Sequence, residues 1–324
     1  MGKSSILSVF CIDTFEKLCY SSLHMLPSST TREAYAKINL HLAVCAKRED
    51  GYHDLSTLFQ LISLHDTIDV AIRPSTGFSC AVEGLDGCCL RGEDSMSRAA
   101  RLWCGLAGVS AAVSIRCRKR IPVQAGLGGG SSDAAAVLCA LQSLFPDRAL
   151  DVDSLMDVGL AVGSDVPFFL FERTAAWARG RGEFLEPVET PSGYHVLVLM
   201  PRTFGVSTAQ AFAALDSAPG RHSESWTASE VGKLFAEDCS SWPFYNDFAR
   251  VVGHDELYAV LQAACDGKRD VFGSLTGSGS AWYAVSRDEA ALDSIRSAAV
   301  AEFGDDISAF RAKMLCDHRC DDTL

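Results

Sequence analysis

Between Pro122 and Ala136 the chain reads Pro-Val-Gln-Ala-Gly-Leu-Gly-Gly-Gly-Ser-Ser-Asp-Ala-Ala-Ala, and this stretch constrains the fold more than any other. Glycine tolerates positive φ and lets the backbone approach another group closely, while alanine is the strongest helix former. The pattern predicts a tight loop that feeds a helix over Ser131–Phe145 and ends at Pro146. A helix N-terminus presents N–H groups without intrahelical acceptors, and it is the positive end of the helix dipole. Loop and helix start together make a cradle for phosphate oxygens. The plainer alternative is a flexible linker, but a linker does not lead straight into so strong a helix. The spacing G-x-x-x-x-G-K-[ST] is absent, as are a dinucleotide fingerprint after a strand and the H-R-D and D-F-G triplets of protein kinases.

The rest of the chain alternates between two periods. Ala36, Ile38, Leu40, Leu42 and Val44 alternate with Lys37, Asn39, His41 and Ala43, which predicts a half-buried strand. Further strands are expected at Ile68–Ile72, Val113–Arg118, Ala175–Ala178, Val196–Met200, Ala281–Val285 and Phe310–Leu315. Helical spacing recurs at Met96–Leu106 behind the caps Asp94 and Ser95, and at Val152–Leu160, Thr208–Leu215, Glu230–Phe235, Glu256–Ala264 and Glu289–Phe303. A second glycine turn stands at Gly277–Gly279. This irregular mixture predicts an α+β fold. At about 100–200 residues per domain, 324 residues predict two, with a seam near Pro191–Gly193. The expected division is an N-terminal extension of poor order over residues 1–31, with Met25 a candidate start of the folded part, then one domain over 32–190 and another over 191–324.

The net charge of −12 argues against nucleic acid as a partner. No run of eighteen apolar residues is present, so no membrane span is expected. The 13 cysteines are scattered, and residues 1–24 lack the pattern of an export signal. Reduced thiols in a cytoplasmic protein are therefore expected. The pairs Cys88–Cys89 and Cys316/Cys320 have no matching second pair, which leaves metal binding without support.

Three segments now combine. Ala36-Lys37-Ile38-Asn39-Leu40, the glycine loop, and Leu275-Thr276-Gly277-Ser278-Gly279-Ser280 stand in the order of the three motifs of the GHMP kinases, the galactose, homoserine, mevalonate and phosphomevalonate kinases, which this sequence resembles over residues 33–316. Asp50-Gly51-Tyr52-His53, Gly163-Ser164-Asp165-Val166-Pro167-Phe168-Phe169 and Asn246-Asp247-Phe248 narrow the resemblance to the branch whose substrate carries a cytidine diphosphate group. The branch often has Glu after Asn-Asp-Phe; here Ala249 stands there.

The resemblance implies an N-terminal domain like the second domain of ribosomal protein S5, a ferredoxin-like C-terminal domain, and an active site between them. It implies ATP and Mg²⁺ as cofactors. The implied activity is phosphorylation of the 2-hydroxyl of a cytidine-diphosphate-linked methylerythritol, in the non-mevalonate route to isoprenoid precursors, by a monomer or weak homodimer. Kinases of the homoserine or mevalonate type, and a non-catalytic nucleotide- or RNA-binding protein, are the rival readings.

On this basis Pro122, Gly126, Leu127, Gly128, Gly129, Gly130, Ser131 and Ser132 are the candidates for holding ATP. Asp165 is the candidate for accepting or orienting the hydroxyl proton. By position it reads equally well as the cap of a helix starting at Val166-Pro167. Lys37 would sit against Asp165 and lower the barrier through its charge, although a solvated strand lysine is the ordinary alternative. Asn39 shares its face two residues on and is placed with the substrate. Tyr52 and Phe212 would stack on the base, and His53 would hydrogen-bond its edge. Gly277, Ser278 and Gly279 would hold the substrate diphosphate through their N–H groups. The metal ligands stay unassigned, with Ser132 and Asp133 as water-mediated candidates.

Overall fold

A computed structural model describes residues 29–49, 51–85, 94–218, 226–252 and 255–317. Met25, Asp50, Cys88, Cys89, Cys320 and nearly all of the expected N-terminal extension lie outside the described residues. Ser29–Thr31, assigned to that extension, instead begin the first strand.

Strands β1 (Ser29–Lys47) and β2 (His53–Pro74) form a long antiparallel pair, from Ser29 opposite Ala71 to Lys47 opposite His53. The expectation of a half-buried β1 fails: residues 36–44 are buried on both faces. The polar face is covered as well, because the Asn39 N–H donates to Thr276 Oγ1 at 3.1 Å, and Trp177, Trp226, Phe244 and Tyr245 surround the His41 ring. A bulge between Asn39 and His41 shifts the register and re-aims the side chains on either side of it.

The second half of β2 pairs with β4 (Ala111–Arg118), and its first half pairs with β5 (Ala175–Gly180). The short edge strands β3 (Ser79–Glu83) and β6 (Phe184–Pro187) complete a six-stranded sheet of order β3-β4-β2-β5-β6, with β1 on β2. Helices α1 (Ser95–Ala107) and α2 (Gly129–Leu144) pack on it, and α3 (Val152–Val162) packs on those two helices. Asp94 caps α1 by accepting from the Ser97 N–H. In α2, Ala134–Leu138 are all buried. Their small side chains bring the helix axis close to β1 and seat it beside Ile68, Val70, Trp103 and Ile115 in one core.

The chain leaves this sheet at Pro187 and enters a second at His195. That sheet comprises β7 (His195–Pro201), β8 (Val271–Leu275), β9 (Trp282–Ser286) and β10 (Ile307–Lys313), all antiparallel, in the order β10-β7-β9-β8. Fourth-first-third-second is the ferredoxin-like order. Three further helices, α4 (Val166–Leu170), α5 (Thr208–Ser217) and α6 (Ala228–Ala236), lie outside the two sheets. Ser207 caps α5, and a capping box of Thr227 and Glu230 starts α6. Helices α7 (Asp255–Cys265) and α8 (Glu289–Phe303) cover one face of the second sheet through Leu261, Leu292 and Ile295. From its other face, Val196, Val198 and Tyr283 join Ile38, Leu58 and Ile62 of β1 and β2 in a single apolar cluster. The two layers thus share a core rather than meeting through a linker. Burial holds the Cys104 thiol up at about 11 and that of Cys265 at about 12, which keeps both protonated. Among the described residues no helix is long and apolar enough to cross a membrane.

Candidate active site

The glycine loop leaves β4 and turns three times into the left-handed region, at Gln124 (φ +57°), Gly126 (φ +76°) and Gly128 (φ +71°). A Cβ on Gly128 would stand 2.9 Å from the Phe169 ring and 3.0 Å from Lys37 Cγ, so glycine is required there for space as well as for conformation. Gly128 is the N-cap of α2, which starts two residues earlier than its alanines suggested. The N–H groups of Gly129 and Gly130 therefore head the helix without intrahelical acceptors, and no side chain caps the helix by a hydrogen bond. Leu127 differs from its expected role. Its side chain is buried in the core, and its carbonyl accepts the Lys37 N–H at 3.0 Å, so it sets the loop's path.

A cleft of about 560 Å³ opens beside this loop. Lys37, Asn39, Tyr52, His53, Asp165, Phe212, Gly277 and Ser278 line it together with Gly126 and Gly128. Residues more than two hundred positions apart in the chain meet here. A larger cavity of about 740 Å³ beside α7 and β8 contains none of the candidates.

At the cleft floor, Lys37 Nζ donates to Asn39 Oδ1 at 2.6 Å and lies 3.4 Å from Asp165 Oδ2. The lysine side chain is only 4% exposed and that of the aspartate 32%, so the cation is buried and the carboxylate faces the opening. The two readings of Asp165 now separate. It occupies the N-cap position of α4, yet its side chain caps no N–H of that helix. The carboxylate is turned to Lys37 instead.

Asn39 departs from the expectation of substrate contact. Its Oδ1 accepts from Lys37 and from the Gly277 N–H at 3.0 Å, and its Nδ2 donates to Thr57 Oγ1 at 2.8 Å. These bonds hold the lysine and the second glycine turn in place. That turn also differs from what was expected of it. The Gly277 N–H is spent on Asn39, and the Gly279 N–H donates to the Thr276 carbonyl at 3.0 Å. Ser278 Oγ is paired with Thr208 Oγ1 at 2.9 Å. A diphosphate therefore meets fewer free amides here than a glycine turn suggests.

The two glycine turns pack backbone on backbone. A Cβ on Gly126 would lie 2.1 Å from the Thr276 carbonyl oxygen, and the Ala281 N–H donates to the Ala125 carbonyl at 3.2 Å. Asn246, from the Asn-Asp-Phe segment, donates through Nδ2 to the carbonyls of Leu275 and Gly277 at 2.8 and 2.9 Å. Asp247 Oδ2 accepts the Val44 N–H at 2.8 Å. The sequence marked this segment without giving it a task; it braces the turn against β1.

At the other end of the cleft, Tyr52 is half exposed. Phe212 does not face it across a gap: its ring is stacked on His53, with centroids 5.0 Å apart and planes 17° from parallel. His53 Nε2 lies 2.7 Å from Asp216 Oδ1, a partner on α5 that carried no signal in the sequence. Bonded to a carboxylate, that nitrogen holds the ring's proton.

Beneath the loop lies a charged group that sequence reading did not find. Lys119 Nζ donates to Asp66 Oδ2 at 2.5 Å and to Asp133 Oδ2 at 2.8 Å. Asp66 also accepts the Arg120 and Ile121 N–H groups at 2.5 and 2.9 Å, whereas Asp133 Oδ1 is buried without a partner. The shared ammonium is not enough for Asp133, and burial pushes its carboxyl up to about 7. Between pH 4 and 7 the folded chain therefore holds a proton that the unfolded chain releases, and stability falls as pH rises through that window. Asp133→Asn is expected to remove this slope. In urea titrations its stability relative to wild type should grow from about zero at pH 4 to roughly 4 kcal/mol at pH 8. A difference that does not vary with pH would show that Asp133 is ionised throughout.

Asp133 is unsuited to a metal, since its carboxylate points under the loop. The Ser132 hydroxyl, in the first turn of α2, is an oxygen donor of the kind Mg²⁺ takes when phosphates and waters fill most of its shell. Among the described residues, one His/Cys/Asp/Glu group has metal-like spacing: Asp238, Cys239 and Asp270, away from the cleft. There the Cys239 thiol donates to Asp270, and burial raises its pKa, so it is no thiolate ligand.

Residues 95–173 match the family described as "GHMP kinases N terminal domain". The chain is 36% identical over 273 residues to the 4-diphosphocytidyl-2-C-methyl-D-erythritol kinase of Treponema pallidum, covering 82% of this chain and 92% of that one. Among solved structures it resembles a 4-(cytidine 5'-diphospho)-2C-methyl-D-erythritol kinase with a TM-score of 0.67 and 33% identity, over 88% of this chain and 99% of the other. A homoserine kinase from Cytophaga hutchinsonii superposes with a TM-score of 0.60 at 14% identity, over 90% and 96% of the two chains, which is a likeness of fold.

Proposed function

The chain belongs to the 4-diphosphocytidyl-2-C-methyl-D-erythritol kinases of the GHMP kinase family, and from that membership we propose a division of labour for its cleft. The chain is an ATP-dependent kinase that phosphorylates the 2-hydroxyl of 4-diphosphocytidyl-2-C-methyl-D-erythritol, a step toward isoprenoid precursors. The observation that carries the residue roles is the Lys37–Asp165 pair at 3.4 Å. It lines one cleft with Gly126 and Gly128 of the glycine loop and with Tyr52, His53 and Phe212.

In this reading the N–H groups of Gly129 and Gly130 and the positive end of α2 receive the phosphates of ATP. The loop's glycines let those phosphates approach the backbone. Asp165 accepts a hydrogen bond from the attacking hydroxyl, aligns its lone pair with the γ-phosphorus and takes its proton as the bond to phosphorus forms, while the bond from the γ-phosphorus to the bridging oxygen of the β-phosphate breaks and ADP leaves. Lys37, held by Asn39 and Phe59, faces the negative charge that spreads over the transferring group. Mg²⁺ would enter with the nucleotide, where the Ser132 hydroxyl would give it an oxygen donor and it would neutralise phosphate charge. Tyr52 supplies an apolar face for the cytosine ring, and His53, backed by the stacked Phe212 ring and with Nε2 committed to Asp216, offers its remaining nitrogen as an acceptor for the base's amino group.

The test is ADP release with a panel of acceptors. Turnover is expected with the cytidine diphosphate substrate and only background with homoserine or mevalonate. Equal turnover with either small acceptor would overturn the reading, because a base pocket of Tyr52, His53 and Phe212 has no use for a substrate without a base.

A further inference from the structure

The substrate's diphosphate bears negative charge midway between the base and the reacting alcohol, and the turn expected to hold it has spent two of its three amides on the protein itself. A charged group gains most from donors that are still free. Three described Lys and Arg residues line the cleft: Lys37, Lys47 and Arg181. Lys37 is committed to Asn39 and Asp165, and Lys47 lies 3.4 Å from Asp216. Arg181 differs. Its backbone N–H donates to Glu183, but its guanidinium meets no carboxylate among the described residues, and its Nε is buried with no hydrogen-bond partner.

The position of this guanidinium is set from two sides. Arg181 is the middle residue of the β5–β6 turn, between Gly180 (φ +70°) and Gly182 (φ +113°). A Cβ on Gly182 would be 3.6 Å from the Ser164 carbonyl oxygen, so the turn abuts the residue before Asp165. The guanidinium carbon lies 4.1 Å from the centroid of the Tyr52 ring. An arginine stacked this way keeps its planar fork of N–H donors pointed outward, the arrangement that binds phosphate oxygens in pairs.

Resting on the proposed cytidine diphosphate substrate, we propose that Arg181 is a substrate-binding residue that takes the diphosphate oxygens, with one face of Tyr52 as its support and the other left for the base. Calorimetric titration of the full chain with cytidine and with CDP separates the possibilities. Wild type is expected to bind CDP more tightly than cytidine, with the difference shrinking as salt is raised. Arg181→Gln is expected to weaken CDP binding on the order of tenfold and leave cytidine unchanged, with Arg181→Lys in between. Unchanged CDP binding in R181Q would overturn the assignment. Equal losses for cytidine and CDP would also overturn it, by showing that Arg181 serves only to prop Tyr52. A wild type blind to CDP would instead bring down the substrate reading, and this inference with it. Unfolding curves of both variants accompany the titrations, so that a loss of CDP binding in a variant that stays folded is read as a loss of the guanidinium.

Discussion

Asp165→Asn is expected to keep the fold and both binding steps while lowering kcat by about 10³-fold, within the range that general acid–base residues supply. The replacement is nearly isosteric. The carboxylate caps no N–H of α4, and its only ion pair among the described residues is with Lys37. Lys37 keeps its 2.6 Å bond to Asn39 when the charge on Asp165 is removed, so no buried cation is left without a partner. What is lost is a group that can take the hydroxyl proton. Steady-state ADP release checks the outcome: kcat should collapse while KM for ATP and for the acceptor change little. Turnover near that of wild type would remove Asp165 from the reaction.

Gly126→Ala is expected to do its damage by another route. A methyl group there would lie 2.1 Å from the Thr276 carbonyl oxygen and 3.2 Å from that of Gly279, at a φ of +76°. Both obstacles are backbone and neither can rotate away. The left-handed conformation alone costs a side chain about 1–2 kcal/mol, and forced overpacking adds about 1–3. A loss of roughly 3 kcal/mol in urea unfolding should therefore appear, with KM for ATP raised as the loop is displaced. Gly130→Ala is the internal control, because its Cβ would meet only Ser95 Oγ at 3.6 Å. If G126A were as stable as G130A, the two glycine turns would not be packed as described.

How far the sequence could be read follows from which interactions are local. The loop and α2 were legible because glycine and alanine state their conformational preferences within a few residues. Lys37 and Asp165 were legible as candidates, but the choice between a catalytic and a capping aspartate needed the side-chain direction, which depends on a contact across 128 positions. Asn39 and the Gly277–Gly279 turn were assigned to the substrate because each carries free donors when viewed alone; the fold brings them together, and they satisfy one another. The joining of Asp66, Lys119 and Asp133 was missed for a similar reason, Asp133 having been considered only beside a metal. An aspartate in mid-strand, a lysine after a strand and an aspartate in a first helical turn are each ordinary, and only the topology joins them. The burial of β1 was underestimated because alternation signals one covered face, whereas here the polar face is covered as well, by the turn at Thr276 and by the aromatic rings around His41.

The interlock of the glycine turns also bears on how such a protein can change over generations. Ala125 and Gly126 of one turn are fitted to Thr276, Gly277 and Ala281 of the other, so a drift in either must be matched by its counterpart. A lineage that remodels its acceptor side through residues 275–281 inherits the geometry of its nucleotide side as a constraint. New specificities are then more readily acquired from the tyrosine and arginine at the outer rim, where a substitution disturbs neither turn.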